Sequence, residues 1–456
     1  MNGLASSSPG SPERIVIRTL TDDTLLVFLS DCHIGGGDGR DIFESPDDLT
    51  RLLDDLDAHT GPVELVLAGD FFDFLRIAKV PDSGGNRASV TISRPEYQPL
   101  FAALRRFAGG TKHAVVYLPG NHDAEAWWNR EIREELQGAG LVHEFALSYI
   151  ASFEAEPDRL VYCEHGNEFD PENTISDYDD PLDTPLGTHI VTDIIPRLPR
   201  GRAADALQLG EVDHVFPLAT IPAWVAGRLF YTLVTEAVRW LLLPLLIAYV
   251  AYKAIAFAVG HGAGAINALF ADLAYDILLL LSAFGVFFFV ARRMADRAMR
   301  STPTRLRPAG ETGQPAMVEL LRRRLESGQP PPLSGGFRGE IAVFVSGHTH
   351  APSLTEFKTH GGQPGALVNS GCWLRQLQSL RTHLRAPTVF ASRFVQTHVR
   401  ICRDRGEMRV ELWEHPRPSS QRLRIVERLA VAGRLPVEPE AGASPRIRAS
   451  SVLSSR

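Results

Sequence analysis

The sequence predicts an α/β fold whose strand ends carry the chemistry, and three observations predict it. Five apolar runs, at 25–29, 63–68, 114–118, 160–163 and 341–345, read as strands, and each gives way at once to a short polar segment. Stretches at 46–57, 97–107 and 124–137 carry apolar residues at helical spacing, so helices alternate with strands as in a layered α/β fold. After the last run, 368–373, 394–401 and 408–413 read as strands of a second sheet.

In chain order, 14–20 and 25–29 form the first strand pair, followed by the loop Gly35-Gly36-Gly37. The polar segments are Asp31-Cys32-His33, Gly69-Asp70, Gly120-Asn121-His122-Asp123, His165-Gly166 and Gly347-His348-Thr349-His350. They stand at strand ends, where open α/β sheets bind ligands.

Their residue types suit a pair of divalent cations. Two such ions roughly 3.5–4 Å apart activate a water and stabilise both the attacking and the leaving oxygen of a phosphoryl transfer. One carboxylate must bridge them. Imidazoles and amide oxygens complete the set without piling negative charge beside an anionic substrate. Each piece alone has a plainer reading: Gly69-Asp70 as a turn, Asn121 as a left-handed turn residue, His348 and His350 as surface histidines. Asp73 reads either as a carboxylate behind the ligands or as a helix-start acid.

The five segments, in this order, resemble the calcineurin-like metallophosphoesterase family, with its D-x-H, G-D-x-x-D, G-N-H-D or G-N-H-E, lone His before Gly, and G-H-x-H. The resemblance implies a β-sandwich flanked by helices. It implies that Asp31, His33, Asp70 and His350 hold one metal and Asp70, Asn121, His165 and His348 the other, Asp70 being the bridge. His122 is then catalytic, contacting a phosphoryl oxygen or protonating the leaving group, with Asp123 orienting its ring. Two divalent ions are the expected cofactors, Mn first, with Fe and Zn accepted by the same ligands. Within the family the chain is most similar to the UDP-2,3-diacylglucosamine pyrophosphatases, which place a lipid-gripping helical insertion between the lone His and G-H-x-H. It departs in carrying His122 where that branch commonly has Arg, and in a longer, more apolar insertion.

The expected organisation is a flexible tail at 1–12, a first core part at 13–166, an insertion or cap at 167–339, a second core part at 340–415 and a poorly ordered tail at 416–456. The net charge of −7 gives no general basic footprint, which counts against nucleic acid as a partner. Cys32, Cys163, Cys372 and Cys402 lack any CxxC spacing, and no secretory signal is read at the start, so a reduced, cytoplasmic setting is expected. Within the insertion, the acids of 167–173 read as a turn rather than as substrate contacts, and the arginines of 194–202 as exposed loop charges rather than phosphate ligands.

Two apolar stretches, 241–259 and 277–291, each approach the ~20 residues that cross a bilayer, and a Gly-rich connection at 260–272 joins them into a hairpin. Arg228 and Arg239 precede it, and Arg292, Arg293, Arg297 and Arg300 follow, which puts both outer ends and the metal site on the cytoplasmic face of the membrane. Trp224, Tyr231 and Trp240 read as interfacial anchors. Lys253 opposes this, at about 2.5–3.5 kcal/mol in mid-membrane. A soluble cap or an oligomer interface shares the composition.

The expected function is thus a membrane-associated two-metal phosphohydrolase, such as a phosphodiesterase, cleaving a phosphoester or pyrophosphate bond of a phosphorylated small molecule or lipid, with a lipid-linked or nucleotide-linked substrate in view. The other class kept open is a membrane scaffold or sensor that binds a phosphorylated ligand. A soluble phosphodiesterase, nuclease or phosphoprotein phosphatase with an apolar cap is the remaining alternative, and the oligomeric state is left unassigned.

Overall fold

The computed structural model describes residues 12–37, 41–77, 80, 85–197, 208–260, 314–337, 339–383, 386–419 and 423–454, with scattered positions between 274 and 293. Two sheets form a mixed α/β fold. One runs Ile15–Leu20, Ser148–Phe153, Glu156–Cys163, Ile341–Ser346, Pro364–Asn369, Ser353–Lys358. The other runs Arg446–Leu453, Glu407–Glu414, Val389–Asp404, Leu25–Leu29, Val63–Ala68, His113–Leu118, Glu144–Phe145, with Trp373–Leu380 also paired to Val389–Asp404.

The near-continuous apolar runs follow from burial on both faces. Alternate residues point opposite ways along a strand, so Leu26 and Phe28 enter the core between the sheets with Val66, Val161, Val343 and Val399. Leu25, Val27 and Leu29 face outward beneath Leu49, Leu53, Leu100 and Leu104 of helices Pro46–Asp57 and Gln98–Ala108. On the opposite outer face, Tyr162 and Phe344 meet Met317, Leu321 and Leu325 of helix Gln314–Glu326. The layers are helix, sheet, sheet, helix. Each fully buried Leu or Phe contributes roughly 1.5–3 kcal/mol, enough in aggregate to hold strained loops at the strand ends.

Several expectations shift. The helix expected over 124–137 breaks at Asn129, which leaves helical geometry and caps Arg130–Gly138 through a bond from the Glu131 amide. Residues 394–401 and 408–413 do not belong to a separate sheet: Val389–Asp404 pairs antiparallel with Leu25–Leu29, because its alternation fits an edge of the first strand set equally well. The tail expected to be poorly ordered contains helix Ile425–Ala430 and strand Arg446–Leu453, the latter paired with Glu407–Glu414. Arg446 and Arg448 are edge-strand charges rather than tail charges, both donating to Glu414.

The apolar helix begins earlier than the sequence suggested. Among the described residues one helix, Leu218–Ile255, is long and apolar enough to cross a membrane, and 6% of its most apolar window is buried. Its first half docks on the body: Trp224 is buried with Val215, Leu377 and Phe390, and Phe230, Tyr231 and Val234 with Val389 and Val431. Trp224 and Tyr231 are therefore core residues and not interfacial anchors; the Tyr231 hydroxyl donates to the Pro387 carbonyl at 2.7 Å. Arg228 is likewise buried, on Glu427 at 3.3 Å, and does not flank a span. Trp240 remains exposed, as do Leu245, Ile247 and Val250. Leu243–Gly260 has 18 residues, about 27 Å at 1.5 Å per residue. Lys253 lies 3.5 Å from Asp276, just before the second apolar stretch. Residues 261–273 of the expected hairpin, part of 277–291 and positions 1–11 lie outside the described residues.

Candidate metal centre

The two sheets bring their parallel strands' ends to one rim. Leu25–Leu29 delivers Asp31 and His33, Val63–Ala68 delivers Asp70, His113–Leu118 delivers Asn121 and His122, Glu156–Cys163 delivers His165, and Ile341–Ser346 delivers His348 and His350. Loop amides then lock the ends together: Asp31 N–H donates to Gly69 O at 3.0 Å, His33 N–H to Asp70 O at 2.9 Å and Gly347 N–H to His165 O at 2.9 Å.

The backbone is strained where the ligands sit. Asp31, His33, Asp70, His348 and His350 all have φ between 52° and 65°. Such left-handed geometry costs about 1–3 kcal/mol per non-Gly residue and persists where the surroundings over-determine it. Here it turns each side chain inward. Gly120 is needed for a different reason: a Cβ there would lie 2.3 Å from Asp70 Oδ1 and 2.7 Å from His165 Nε2.

Two clusters that include Asp70 result, Asp31, His33, Asp70 and His350 in one and Asp70, His165 and His348 in the other, each with ligand atoms within 4.8 Å of one another, beside a third made of His33, Asp73 and His122. Asp70 is common to both: its Oδ2 is 3.7 Å from His33 Nε2 and 3.3 Å from His165 Nε2. In the first cluster His350 Nε2 lies 3.1 Å from Asp31 Oδ1 and 3.0 Å from His33 Nε2. Asn121 joins the second, its Oδ1 3.1 Å from His348 Nδ1.

The donor set fits a metal pair by its tautomers. His165 Nδ1 donates to Ala68 O at 2.9 Å, so Nε2 carries the lone pair, and that buried nitrogen has no hydrogen-bond partner. A ring nitrogen fixed in this way and left unpaired beside Asp70 is the arrangement of a metal-ligating imidazole. Burial alone would lower the His165 pKa, but Asp70 and Asp31 outweigh it and raise it to about 10. Protons and a cation therefore compete for the same nitrogen.

Behind the ligands stand residues that sequence reasoning placed differently. Asp123 does not orient His122. Its buried carboxylate accepts from the amides of Gly120 at 2.6 Å, Asp70 at 3.2 Å and Phe72 at 3.2 Å, and from the Tyr117 hydroxyl, so it braces two ligand loops. Asp73 holds the ring: its Oδ1 is 3.1 Å from His122 Nδ1 and its Oδ2 3.3 Å from His33 Nδ1. Burial would raise the Asp73 pKa; His122, His33 and Arg76 outweigh it and hold it well below the carboxylate range.

Asp170 closes the turn expected of it and does one thing more. It closes a turn with Glu172 N at 3.1 Å and Asn173 Nδ2 at 2.7 Å, and its Oδ2 takes His348 Nε2 at 3.0 Å. Burial would raise its pKa, yet His348 draws it to about 2. Because this contact engages Nε2 and turns His348 Nδ1 toward Asn121 and the other ligands, Asp170→Ala is expected to weaken metal affinity about 10–100-fold, the usual effect of removing a carboxylate behind a ligating His. Titration of apo protein with Mn would read it, and unchanged affinity would reduce Asp170 to a turn residue.

Residues 24–215 match the family model of calcineurin-like phosphoesterases, which spans the first four ligand segments and ends before His348 and His350. The chain thus carries a phosphoesterase domain of that kind, and with the Asp/His cluster this indicates a metal-dependent phosphoester hydrolase. No curated protein matches the chain significantly.

Proposed function

We propose that the protein is a membrane-associated two-metal phosphohydrolase that cleaves a phosphoester or pyrophosphate bond of a lipid-linked or nucleotide-linked substrate. The observation that carries this reading is Asp70, one carboxylate within 3.7 Å of an imidazole from each cluster. Asp31, His33, Asp70 and His350 would hold one ion, and Asp70, Asn121, His165 and His348 the other. Mn is the first candidate, with Fe or Zn next. Bound ions supply Lewis acidity and an activated water.

The chain's own groups do the rest. His122 has Nδ1 engaged by Asp73, so Nε2 is the nitrogen that gives a proton to the departing oxygen. Asp123 keeps the Asp70 and Gly120 loops in register. Asp73 sets the tautomer of both His33 and His122.

The membrane part of the reading is supported by the exposed apolar half of Leu218–Ile255 and by the segment just before that helix, which reaches the centre. Phe216, five positions before Ile221, stacks on the His350 ring at 4.9 Å between centroids. We place the metal centre on the cytoplasmic side, as the arginines after 291 suggest, and favour a substrate like that of the UDP-2,3-diacylglucosamine pyrophosphatases, a phosphate flanked by lipid.

Deleting 241–291 through a short flexible linker tests this. The residues that dock the helix, Trp224 to Val234, stay in place. The deletion is expected to release the protein from membranes and spare a soluble phosphodiester, while activity on a lipid-linked phosphate in vesicles falls far more. Equal losses on both substrates would mean that the stretch supports the fold instead. A panel of phosphomonoesters, phosphodiesters and pyrophosphates with Mn assigns the bond cleaved.

A further inference from the structure

We propose that Arg76 and Asp213 form a positioning clamp through which the insertion fixes the His122–Asp73 pair; this rests on the proposed hydrolytic reading. Arg76 is buried, at 5% exposure, and lies in the short 3-10 turn just after Asp73. Its Nε donates to Asp73 Oδ2 at 2.9 Å, the same oxygen that takes His33 Nδ1. Its Nη1 donates to Asp213 Oδ2 at 3.0 Å. A planar guanidinium bonded to carboxylates through two of its nitrogens cannot rotate without breaking one bond, so Asp213 sets the plane in which Asp73 is held.

Asp213 comes from the insertion, 137 positions away in sequence from Arg76. Its segment is itself anchored. Val215 and Phe216 pair with Leu377 and Gln378, and His214 Nδ1 donates to Arg375 O at 3.1 Å. Phe216 meets the centre a second time, through its stack on His350. Asp213 also retains a buried oxygen, Oδ1, with no hydrogen-bond partner, an arrangement with a cost in stability that a purely structural acid would not need. The line Asp213, Arg76, Asp73, His122 therefore runs from the insertion to the proton donor without a gap.

A clamp of this kind acts on turnover and not on substrate affinity, because none of its members touches substrate. The expected result for Asp213→Asn in the full chain is a roughly tenfold fall in kcat on glycerophosphocholine, whose leaving alkoxide needs a proton, with KM and metal content by mass spectrometry unchanged. Asp213→Glu should restore part of the loss. In a His122→Ala background Asp213→Asn should have no further effect, because residues acting through one group do not add.

An equal fall in both backgrounds, a loss of metal in step with activity, or no fall in kcat would each overturn the clamp. A wild-type protein without metal-dependent hydrolysis would instead overturn the function on which it rests. The partly exposed Asp213 keeps the test independent of the buried Arg76, whose replacement can unfold the site.

Discussion

Asp70→Asn is expected to abolish hydrolysis and strip the centre of metal. The carboxylate serves three partners at once: Oδ2 lies between His33 Nε2 and His165 Nε2, and Oδ1 accepts the His122 amide at 2.8 Å. Burial would raise its pKa, but His165, His122 and His33 hold it well below the ordinary range, so it is an anion throughout the neutral region. Asparagine keeps the shape and one acceptor. It removes the only charge the two clusters share, and whichever way the amide turns, it presents an NH2 group either to the two imidazoles or to the His122 amide. Turnover should drop by at least about 10³, beyond the 10–100-fold typical of residues behind a ligand. Metal content should fall from two ions to one or none, measured by mass spectrometry on protein dialysed against Mn. Wild-type rates from protein verified as metal-free would end the two-metal reading.

The sequence exposed the ligands because each stands next to a glycine or two positions from another ligand near the end of an apolar run, as in Gly69-Asp70 and Gly347-His348-Thr349-His350. Those glycines have a physical cause: at Gly120 there is no room for a Cβ against Asp70 and His165. The groups behind the ligands were harder to read. Asp123 is next to His122 in sequence, yet three backbone amides converge on its carboxylate and turn it away from the ring. Asp73 is near neither histidine in sequence and reaches both only because the Asp31 and Asp70 loops run side by side. Its spacing in Gly69-Asp70-Phe71-Phe72-Asp73 was a usable signal. Asp213 and Phe216 had none, since their position depends on the pairing of Val215 with Leu377. Alternation likewise located the strand 394–401 but could not name its partner, and the edge strand Arg446–Leu453 was hidden by Arg446, Arg448 and Ser450, which face solvent.

His122→Ala should lower kcat by roughly 10²–10⁴ on an alkyl phosphodiester, the usual range for a general acid, with both metals retained. The ring is well placed for this role. Nδ1 is held by Asp73 at 3.1 Å, the His33 ring stands edge-on with centroids 4.6 Å apart, and the side chain keeps 16% exposure toward the rim. Burial would lower the His122 pKa, but Asp73 and Asp70 outweigh it and raise it to about 9, so Nε2 carries its proton at neutral pH. The alkaline limb of kcat should follow the titration of this ring, shifted downward by any cations bound beside it. Activity should be full while the ring is protonated, decline as pH rises through its pKa, and lose this limb in His122→Ala. The leaving group supplies the sharpest control. A p-nitrophenolate departs without a proton, so p-nitrophenyl esters should lose far less than alkyl esters in the same variant. Equal losses on both would remove His122 as the donor, and loss of metal in the variant would make it a structural support of the neighbouring ligands.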